Sequence, residues 1–316
     1  MLIKTDLNLS QAIKNLGIKG RVINGEELRS HTTIKIGGRA EVFVDPSSIL
    51  DIEKIIVFAN SNQIPCFILG GGSKVLFPDE TLKGIVLNFK NHFLKNIEFC
   101  EEFIKVGSGV STKELLRWMI ENSWGGWEFL AGIPCSLGGA VCLNAGVREI
   151  PDGEKHIQIG DFVKMVKVMD RFGKVMILDK EDLKFDYRTS NLRGFIILEI
   201  GLVKGEKKDA SLIKKRIIAF LNYRKKTQEL GLPSAGCVFK NPLDVKRSSG
   251  ELIELSGMKG KRMGDVVVSK KHANFFINLG RATAKDFLLL MELIQNRVKS
   301  DHGVWLEPEI NVVRNL

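Results

Sequence analysis

Four consecutive residues, Gly70-Gly71-Gly72-Ser73, constrain the fold of the first half of the chain more than any other feature. They follow the apolar run 66–69, which predicts a buried strand. Behind Pro46, residues 47–60 carry apolar side chains at helical spacing and predict a helix. Together these segments predict a helix and a strand whose carboxyl end opens into the glycine turn, the name used below for residues 70–73.

The glycine turn has two interpretations on its own. Because glycines lack Cβ atoms, their backbone N–H groups can approach an anion closely, which fits a phosphate group. The turn lacks the GK[ST] ending of a Walker loop and the GxGxxG pattern of a Rossmann fold. A plain tight turn explains the residues equally well, so the turn alone does not decide between them.

A second glycine-rich segment, residues 131–146, is called the small-residue stretch below. Ser136 is placed to cap a short helix, whose N-terminus would add to an anion site. Small residues would leave room for a flat ring or a diphosphate against the backbone, and close packing of a helix on a sheet is the alternative. Two such segments in one half of the chain favour a dinucleotide.

The remaining pattern mixes strands and helices without strict βαβ alternation, which predicts an α+β fold. A capping box at Ser111 predicts a helix to about residue 122. Residues 209–230 predict a long, basic, amphipathic helix, with the domain boundary near its start and an apolar face of Leu212, Ile213, Ile217, Phe220 and Leu221. A helix is also predicted from Thr283, with a buried face of Phe287, Leu290, Met291, Ile294 and Val298. Further strands are predicted at 84–89, 103–106, 162–169 paired with 175–178, 195–202, 266–268, 275–278 and about 304–313, and a helix at 251–255.

Charge and composition exclude several functional classes. Lys and Arg number 47 against 37 Asp and Glu, a net charge of +10 that fits nucleic acid, an anionic membrane or small anionic ligands. The sequence has no aromatic-basic stacking surface or helix-turn-helix pattern, and no apolar run long enough to cross a bilayer. We therefore predict no nucleic-acid partner, no membrane association and no obligatory protein partner.

The cysteines and histidines predict a reducing environment and no metal site. The chain has five cysteines, an odd number, which are scattered and suit the cytoplasm better than a disulfide framework. The histidines lie far apart, and no CxxC or HxxxH spacing occurs. We expect a cytoplasmic protein without a structural metal.

Three shorter motifs carry reactive side chains. Arg188 lies among small polar residues, where an ordinary surface arginine is the simplest interpretation. Cys237 lies in a glycine bend beside Lys240 and Asn241. Glu307 and Glu309 would share one face of the predicted last strand, where solvated edge charges are the simplest interpretation.

The order of the motifs is more specific than any one of them. The ordered motifs are HTTIKIGG from His31, the glycine turn, AGIPCSLGG from Ala131, Tyr187-Arg188, SAGCVFKNP from Ser234, KHANF from Lys271 and LEPE from Leu306. In this order they resemble the UDP-N-acetylenolpyruvoylglucosamine reductase family over roughly residues 20–313. The chain looks like the shorter subclass of that family, which lacks a tyrosine-bearing loop over the substrate.

The resemblance implies an α+β fold with a two-part FAD-binding unit of the vanillyl-alcohol-oxidase type. That unit would cover residues 1–208, divided near 90–100, and a UDP-sugar-binding domain would cover 209–316. FAD is the implied cofactor and NADPH the implied co-substrate. The implied FAD contacts are Ile36, Gly37, Gly38, Gly70, Gly71, Gly72, Ser73, Ala131, Gly132, Ile133, Pro134, Ser136, Gly138, Gly139, Asn144 and Ala145.

The implied reaction reduces an enolpyruvyl ether on a UDP-sugar to a lactyl ether, in peptidoglycan precursor synthesis. Arg188 and Glu309 match residues that polarise the substrate, and a glutamate there must be protonated or held by a cation to help an anion. Tyr187, Lys240 and Asn241 match substrate-contacting positions.

Cys237 is the chief departure, because family members usually carry a serine there as the proton donor. A thiol with an ordinary pKa of roughly 8.5 stays mostly protonated at neutral pH and releases its proton more readily than an alcohol. The hypothesis is a working thiol donor, and a degenerate site without reductase activity is its alternative. Smaller departures are Lys74 in place of asparagine, Cys135 in place of glycine, and the residues 147–149.

Two rival functions remain at this point. One is an oxidase or dehydrogenase of the same flavin fold acting on another substrate, against which the motifs at 234–242 and 306–309 argue. The other is a nucleic-acid binder, which would require a steep salt dependence of binding.

Overall fold

The computed structural model describes residues 8–89, 92–148 and 156–315, and Glu149, the last residue of the 147–149 departure, lies outside them. Within these ranges the α-helices are α1 (Leu9–Asn15), α2 (Ile49–Ser61), α3 (Thr112–Glu121), α4 (Leu137–Cys142), α5 (Ala210–Thr227), α6 (Ser249–Leu255) and α7 (Ala284–His302). Single turns of 3-10 helix occupy Leu28–His31, His92–Leu94, Glu128–Leu130 and Ile159–Phe162.

The strands of the described residues are mostly short. They are β1 (Arg21–Asn24), β2 (Ala40–Asp45), β3 (Cys66–Leu69), β4 (Val75–Leu76), β5 (Leu82–Asn88), β6 (Ile97–Phe99), β7 (Phe103–Gly107), β8 (Trp124–Gly125), β9 (Gly146–Arg148), β10 (His156–Gln158), β11 (Val163–Met169), β12 (Val175–Asp179), β13 (Phe185–Asp186), β14 (Thr189–Ser190), β15 (Ile196–Val203), β16 (Glu206–Lys207), β17 (Ser234–Cys237), β18 (Arg262–Met263), β19 (Val266–Val268), β20 (Phe275–Asn278) and β21 (Asn311–Val312).

Two compact units divide the chain, and neither is one continuous segment. The first unit contains residues 1–24, 41–71 and 84–222, and the second contains 25–40, 72–83 and 223–316. The partition differs from the predicted single cut at residue 208/209. Its physical reason is burial, because Ile34, Ile36 and Leu76 belong to the same apolar core as the C-terminal segment. Two early segments therefore fold with the last third of the chain.

The first unit holds two larger sheets among its described residues, and its buried residues form two apolar cores. One sheet has the strand order β1-β2-β5-β3, in which β3 and β5 run parallel, and α2 packs its buried face into that core. The other has the order β12-β11-β15-β7-β6, and α3 and α4 contribute to its core. The first sheet ends at Asn88 and the second begins at Ile97, where the sequence predicts a division near 90–100.

The second unit is built on the antiparallel sheet β17-β20-β19-β18. Helix α7 begins after Thr283, which forms a capping box with Asp286, and it ends at Gly303, whose φ is 71°. Its buried face contains Phe287, Leu290, Met291, Ile294 and Val298, as the sequence predicts. Two short strands, β4 and β21, pair in parallel in the same unit.

Local sequence signals predict several elements well. Helix α2 begins behind the Ser48 cap, and α3 begins behind the capping box of Ser111 and Glu114. Strands β11 and β12 form the predicted hairpin, and β3 has the predicted bounds. The mixture of helices and mostly antiparallel strands confirms the predicted α+β class.

Three expectations are wrong in detail. Strand β3 is not buried throughout, since Ile68 is 43% exposed and only Leu69 is buried. In α5 the buried residues are Ile213 and Phe220, whereas Leu212 and Leu221 of the predicted apolar face are exposed. The predicted last strand is restricted to β21, because residues 304–310 make backbone bonds to a loop instead of a sheet.

A search of the described residues finds no helix long and apolar enough to cross a membrane. In the same residues, no group of three or more His, Cys, Asp or Glu side chains is arranged to hold a metal ion. Cys66, Cys100 and Cys142 are free thiols.

Candidate active site

The backbone N–H groups of the glycine turn are available to a ligand. None of the N–H groups of residues 70–73 donates a hydrogen bond to another described residue. A Cβ on Gly71 would lie 2.9 Å from the Cα of Cys135, and one on Gly72 would lie 1.9 Å from the carbonyl oxygen of His31. Glycine is therefore required by close backbone packing, and the unpaired N–H groups fit an anion.

The small-residue stretch uses its N–H groups differently. As predicted, Ser136 caps a helix, α4, and accepts a bond from Gly139. The N–H groups of Leu137 and Gly138 donate to the carbonyl oxygens of Val110 (2.8 Å) and Ser108 (2.9 Å). The expectation that this helix N-terminus adds to an anion site is wrong for these three N–H groups, because protein acceptors already bind them.

Close packing explains part of the small-residue stretch. A Cβ on Gly138 would lie 2.9 Å from the Cβ of Ser108, so a glycine lets α4 approach its neighbour. Ala131 is buried, whereas Gly132 and Pro134 are exposed and Ile133 is half-buried. The Oγ of Ser108 is buried without a partner among the described residues. An unpaired buried hydroxyl beside closely packed glycines fits a bound cofactor in the first unit.

Asn144 organises the loop that follows α4. It is fully buried at φ 44°, and its side-chain nitrogen donates to Gln158 (2.9 Å) and to the carbonyl oxygen of Asp186 (3.0 Å). Its side-chain oxygen accepts from the N–H of Gly160 (3.0 Å). These bonds use both amide hydrogens, so the Asn144 side chain has no hydrogen left to donate to a flavin.

Arg188 is held by the same loop. Its guanidinium donates to the carbonyl oxygens of Asn144 (3.4 Å) and Gly146 (2.9 Å), and it lies 5.3 Å from the ring centre of Tyr187. The backbone of Arg188 has a φ of 57°, which is uncommon for a residue other than glycine. A strained arginine that is anchored to backbone is not an ordinary surface residue.

The second unit contains the bend that carries Cys237. Gly236 has a φ of 70°, and the pairing of β17 with β20 shifts register between Ser234 and Cys237. Asn274 fixes the next residues, because its side chain accepts from the N–H groups of Val238 and Phe239 and donates to the carbonyl oxygen of Phe239. The half-buried Cys237 thus follows a rigid bend.

The two carboxylates near the C-terminus have different partners and different exposure. Glu309 is paired with Lys74, at 2.7 Å between Nζ and Oε1, and its side chain is 11% exposed. Glu307 pairs with Lys240 at 3.5 Å, and its side chain is 72% exposed. Residues 307–309 lie outside the assigned strands but form an isolated antiparallel bridge of Pro308 with Phe239, and the shared face of Glu307 and Glu309 stays a prediction.

Four other predicted site residues also serve the packing of the second unit. Asn241 accepts from the N–H of Ser249 (3.0 Å) at the start of α6, so its side chain also serves the fold. Ile36 is buried in the core of the second unit. A Cβ on Gly38 would lie 2.2 Å from the carbonyl oxygen of Asp79, and one on Gly37 would lie 3.0 Å from Phe77. These three predicted FAD contacts belong to the second unit and are tightly packed there.

Sequence reasoning missed two residues of this region. Lys74 was noted as a departure only, although its Nζ contacts Glu309 and the carbonyl oxygen of Cys237. Asn274 lies in a noted motif without an assigned role. The position of Asn274 within KHANF was the available signal, whereas nothing in the sequence connects Lys74 with residues so distant along the chain.

Comparisons with known proteins identify the family. Residues 40–179 match a family model described as an FAD binding domain, and residues 225–313 match the C-terminal domain of UDP-N-acetylenolpyruvoylglucosamine reductase. An enzyme of that name from Desulforamulus reducens is 40% identical over 94% of this chain and 95% of its own length. Another, from Clostridium tetani, is 36% identical over 96% of both chains.

A solved structure supports the same assignment. The crystal structure of UDP-N-acetylenolpyruvylglucosamine reductase from Thermus caldophilus has a TM-score of 0.74 and 30% identity, covering 94% of this chain and 100% of that one. The matched domains confirm the predicted order of an FAD-binding unit followed by a C-terminal α+β domain. The chain therefore belongs to the UDP-N-acetylenolpyruvoylglucosamine reductase family.

Proposed function

We propose that this chain catalyses the NADPH-dependent, FAD-mediated reduction of UDP-N-acetylglucosamine enolpyruvate to UDP-N-acetylmuramate. The observation that carries the proposal is in the second unit. There, Lys74 contacts both the Glu309 carboxylate and the main-chain carbonyl of Cys237, the two residues that the family resemblance assigns to polarisation and protonation. The reaction belongs to peptidoglycan precursor synthesis.

The residues proposed to hold FAD are those of the glycine turn and the small-residue stretch. The unpaired N–H groups of residues 70–73 fit the diphosphate, and the packing of Gly71 on Cys135 leaves no room for a side chain. Gly132 and Pro134, which are exposed, would contact the cofactor through backbone and ring edges. Bound FAD supplies hydride transfer from NADPH to C3 of the enolpyruvyl group.

Arg188 supplies positive charge for the substrate carboxylate. Reduction at C3 pushes negative charge onto C2 and the carboxylate, and a fixed cation lowers the energy of that state. Because the guanidinium is already anchored to the Asn144 and Gly146 carbonyl oxygens, little reorganisation is needed when the charge develops. The uncommon backbone angle of Arg188 supports the same role.

Cys237 supplies the proton to C2. The side chain is half-buried and follows a bend fixed by Asn274, so its direction is constrained. A thiol can serve as a general acid in its protonated form, and it gives up its proton more readily than an alcohol. Reprotonation from solvent would complete the cycle.

Product analysis with two cysteine variants tests the proposal. The enzyme incubated with NADPH and the UDP-enolpyruvyl sugar should form a product two hydrogen atoms heavier, measured by mass spectrometry. Cys237→Ala should lose about 100-fold or more of turnover because the proton donor is gone, while Cys237→Ser should retain turnover within about 10-fold. A wild-type protein that binds FAD and gives no such product contradicts the proposal.

Alkylation adds a control within the same experiment. Burial raises the pKa of the Cys66 thiol to about 12 and raises that of Cys142, so both react slowly with alkylators. Cys100 and Cys135 are half-buried, so both are first replaced by serine. In that background, loss of activity on alkylation should follow modification of Cys237, and Cys237→Ser should abolish the sensitivity. Sensitivity that persists in Cys237→Ser would remove the thiol from the mechanism.

Location and partners follow from the proposed reaction. The odd number and wide scattering of the cysteines support the reducing cytoplasm as the site of action. The basic excess of the chain supports attraction of UDP-sugar and NADPH, both of which are anionic.

A further inference from the structure

Lys74 contacts two groups of the proposed chemistry. Its ammonium nitrogen lies 2.7 Å from Oε1 of Glu309 and donates to the carbonyl oxygen of Cys237 at 2.6 Å. A Cβ on Gly236 would lie 3.5 Å from the same nitrogen, so the Cys237 bend passes directly beside the ammonium. Lys74 therefore links a carboxylate and a thiol-bearing loop that come from distant parts of the chain.

Main-chain hydrogen bonds fix this arrangement on both sides. The N–H of Asn311 donates to the carbonyl oxygen of Lys74 (2.9 Å), beside the parallel pair β4 and β21. The N–H of Glu309 donates to the carbonyl oxygen of Val238 (2.7 Å). The ion pair between Lys74 and Glu309 is thus set by backbone register and does not depend on two freely moving side chains.

The surroundings make the charge of Lys74 important. The side chain of Glu309 is 11% exposed and that of Lys74 is 23% exposed, so water screens the pair little. Without the Lys74 cation, the Glu309 carboxylate would repel more strongly the negative charge that develops on the substrate. Removing Lys74 would also be costly, because it takes one charged partner from a carboxylate that is little exposed.

We infer that Lys74 is a positioning residue of the reductase: it orients the Glu309 side chain through their ion pair, and it holds the Cys237 bend through the main-chain carbonyl. The inference rests on the proposed function. It assigns the proton donated to C2 to the Cys237 thiol and leaves Glu309 as a carboxylate whose charge Lys74 balances. Lys74 stands at a position where asparagine is common in the family, and asparagine carries no charge.

Separate measurement of the two half-reactions tests the inference. Under anaerobic conditions, flavin reduction by NADPH should change less than about 2-fold in Lys74→Met, because neither Glu309 nor Cys237 takes part in it. Reoxidation by the UDP-enolpyruvyl sugar should slow about 100-fold at saturating sugar. Lys74→Arg should restore most of that rate because it retains the cation, and Lys74→Gln provides a second neutral variant if Lys74→Met retains no FAD.

Two comparisons exclude a merely structural role. In a Glu309→Gln background, Lys74→Met should slow reoxidation of the flavin by the sugar less than about 5-fold further, because no carboxylate is left to balance. Lys259→Met removes another lysine–glutamate pair of the second unit, with Glu254 at 2.6 Å, and should leave both half-reactions unchanged. Equal slowing of both half-reactions, full additivity with Glu309→Gln, or no slowing would overturn the inference. A reduced wild-type flavin that the sugar does not reoxidise would instead contradict the proposed function itself.

Discussion

The two glycine-rich regions of the first half of the chain look alike in sequence and differ in how they use their backbone. In the glycine turn, the N–H groups of residues 70–73 donate to no other described residue. In the small-residue stretch, the N–H groups of Leu137 and Gly138 are bound by protein carbonyl oxygens, and that of Gly139 is bound by Ser136. Glycine content alone therefore does not identify an anion site. The distinguishing feature is whether each N–H group already donates to an acceptor in the protein.

The largest effect is expected at Gly72. Its φ of 68° strains any other residue, and a Cβ would lie 1.9 Å from the carbonyl oxygen of His31. Gly72→Ala should lower the free energy of unfolding by about 3 kcal/mol and weaken FAD retention. Denaturant titration and the flavin-to-protein absorbance ratio measure both. Unchanged stability with unchanged flavin content would contradict the importance of this turn.

Asn144→Ala should have the next largest effect. It removes three side-chain hydrogen bonds, of which two are partly buried and the one from Gly160 is buried, and this should lower the free energy of unfolding by about 2 kcal/mol. Reoxidation of the flavin by the sugar should also slow, since the Asn144 carbonyl oxygen helps to anchor Arg188. Asn191→Ala, which loses exposed bonds only, is the matched control. Equal stability losses in the two variants would refute this role.

The Asp51 side chain is an anion of the protein itself that binds several backbone N–H groups, as a phosphate would in the glycine turn. Its buried carboxylate accepts from the N–H groups of Lys19, Gly20 and Ser47. Burial opposes its ionisation, but hydrogen bonds from Ser47, Lys19 and Ser48 outweigh burial and hold its pKa below the ordinary value. Its contribution to stability is therefore complete above the unfolded-state pKa of about 3.9 and is lost as the pH falls through the folded-state value.

Asp51→Asn should lower the free energy of unfolding at neutral pH by about 1–2 kcal/mol. It should also reduce the loss of stability of the protein between about pH 5 and pH 2, because the ionisable group is gone. Urea titrations across this pH range measure both effects. A variant as sensitive to acid as the wild type would show that Asp51 does not hold these N–H groups as a carboxylate.

The smallest effects are expected in α4. A Cβ on Gly139 would meet only the Oγ of Ser136, at 3.4 Å, so Gly139→Ala should change the free energy of unfolding by less than about 1 kcal/mol. Gly138→Ala places a Cβ at 2.9 Å from Ser108 and should be about 1–2 kcal/mol less stable. If the two variants lose the same stability, close packing does not explain the glycines of this helix.

Much of the fold was predictable because its signals are local. The capping boxes at Ser111 and Thr283 and the periodic apolar face of α7 placed these helices correctly. The division into units was not predictable, because residues 25–40 and 72–83 join the C-terminal core through contacts that no local pattern encodes. The exposed Leu212 and Leu221 of α5 likewise follow from tertiary packing, since periodicity does not show which side is covered.

The candidate site, like the fold, has features that the sequence predicts and features that it does not. The motif order led to the family that the comparisons confirm, and through that resemblance to Arg188, Cys237 and Glu309 as the proposed catalytic residues. The pairing of Lys74 with Glu309 depends on the parallel contact of β4 with β21, which joins residues more than two hundred positions apart. The free N–H groups of the glycine turn also required coordinates, because sequence does not show which amides are already bound.

One anaerobic absorbance experiment tests the central claim most directly. The purified protein with bound FAD is mixed first with NADPH and then with the UDP-enolpyruvyl sugar, while the flavin bands are recorded. The account predicts bands that bleach with NADPH and return when the sugar is added. Bands that stay bleached with the sugar and return only with oxygen would contradict it.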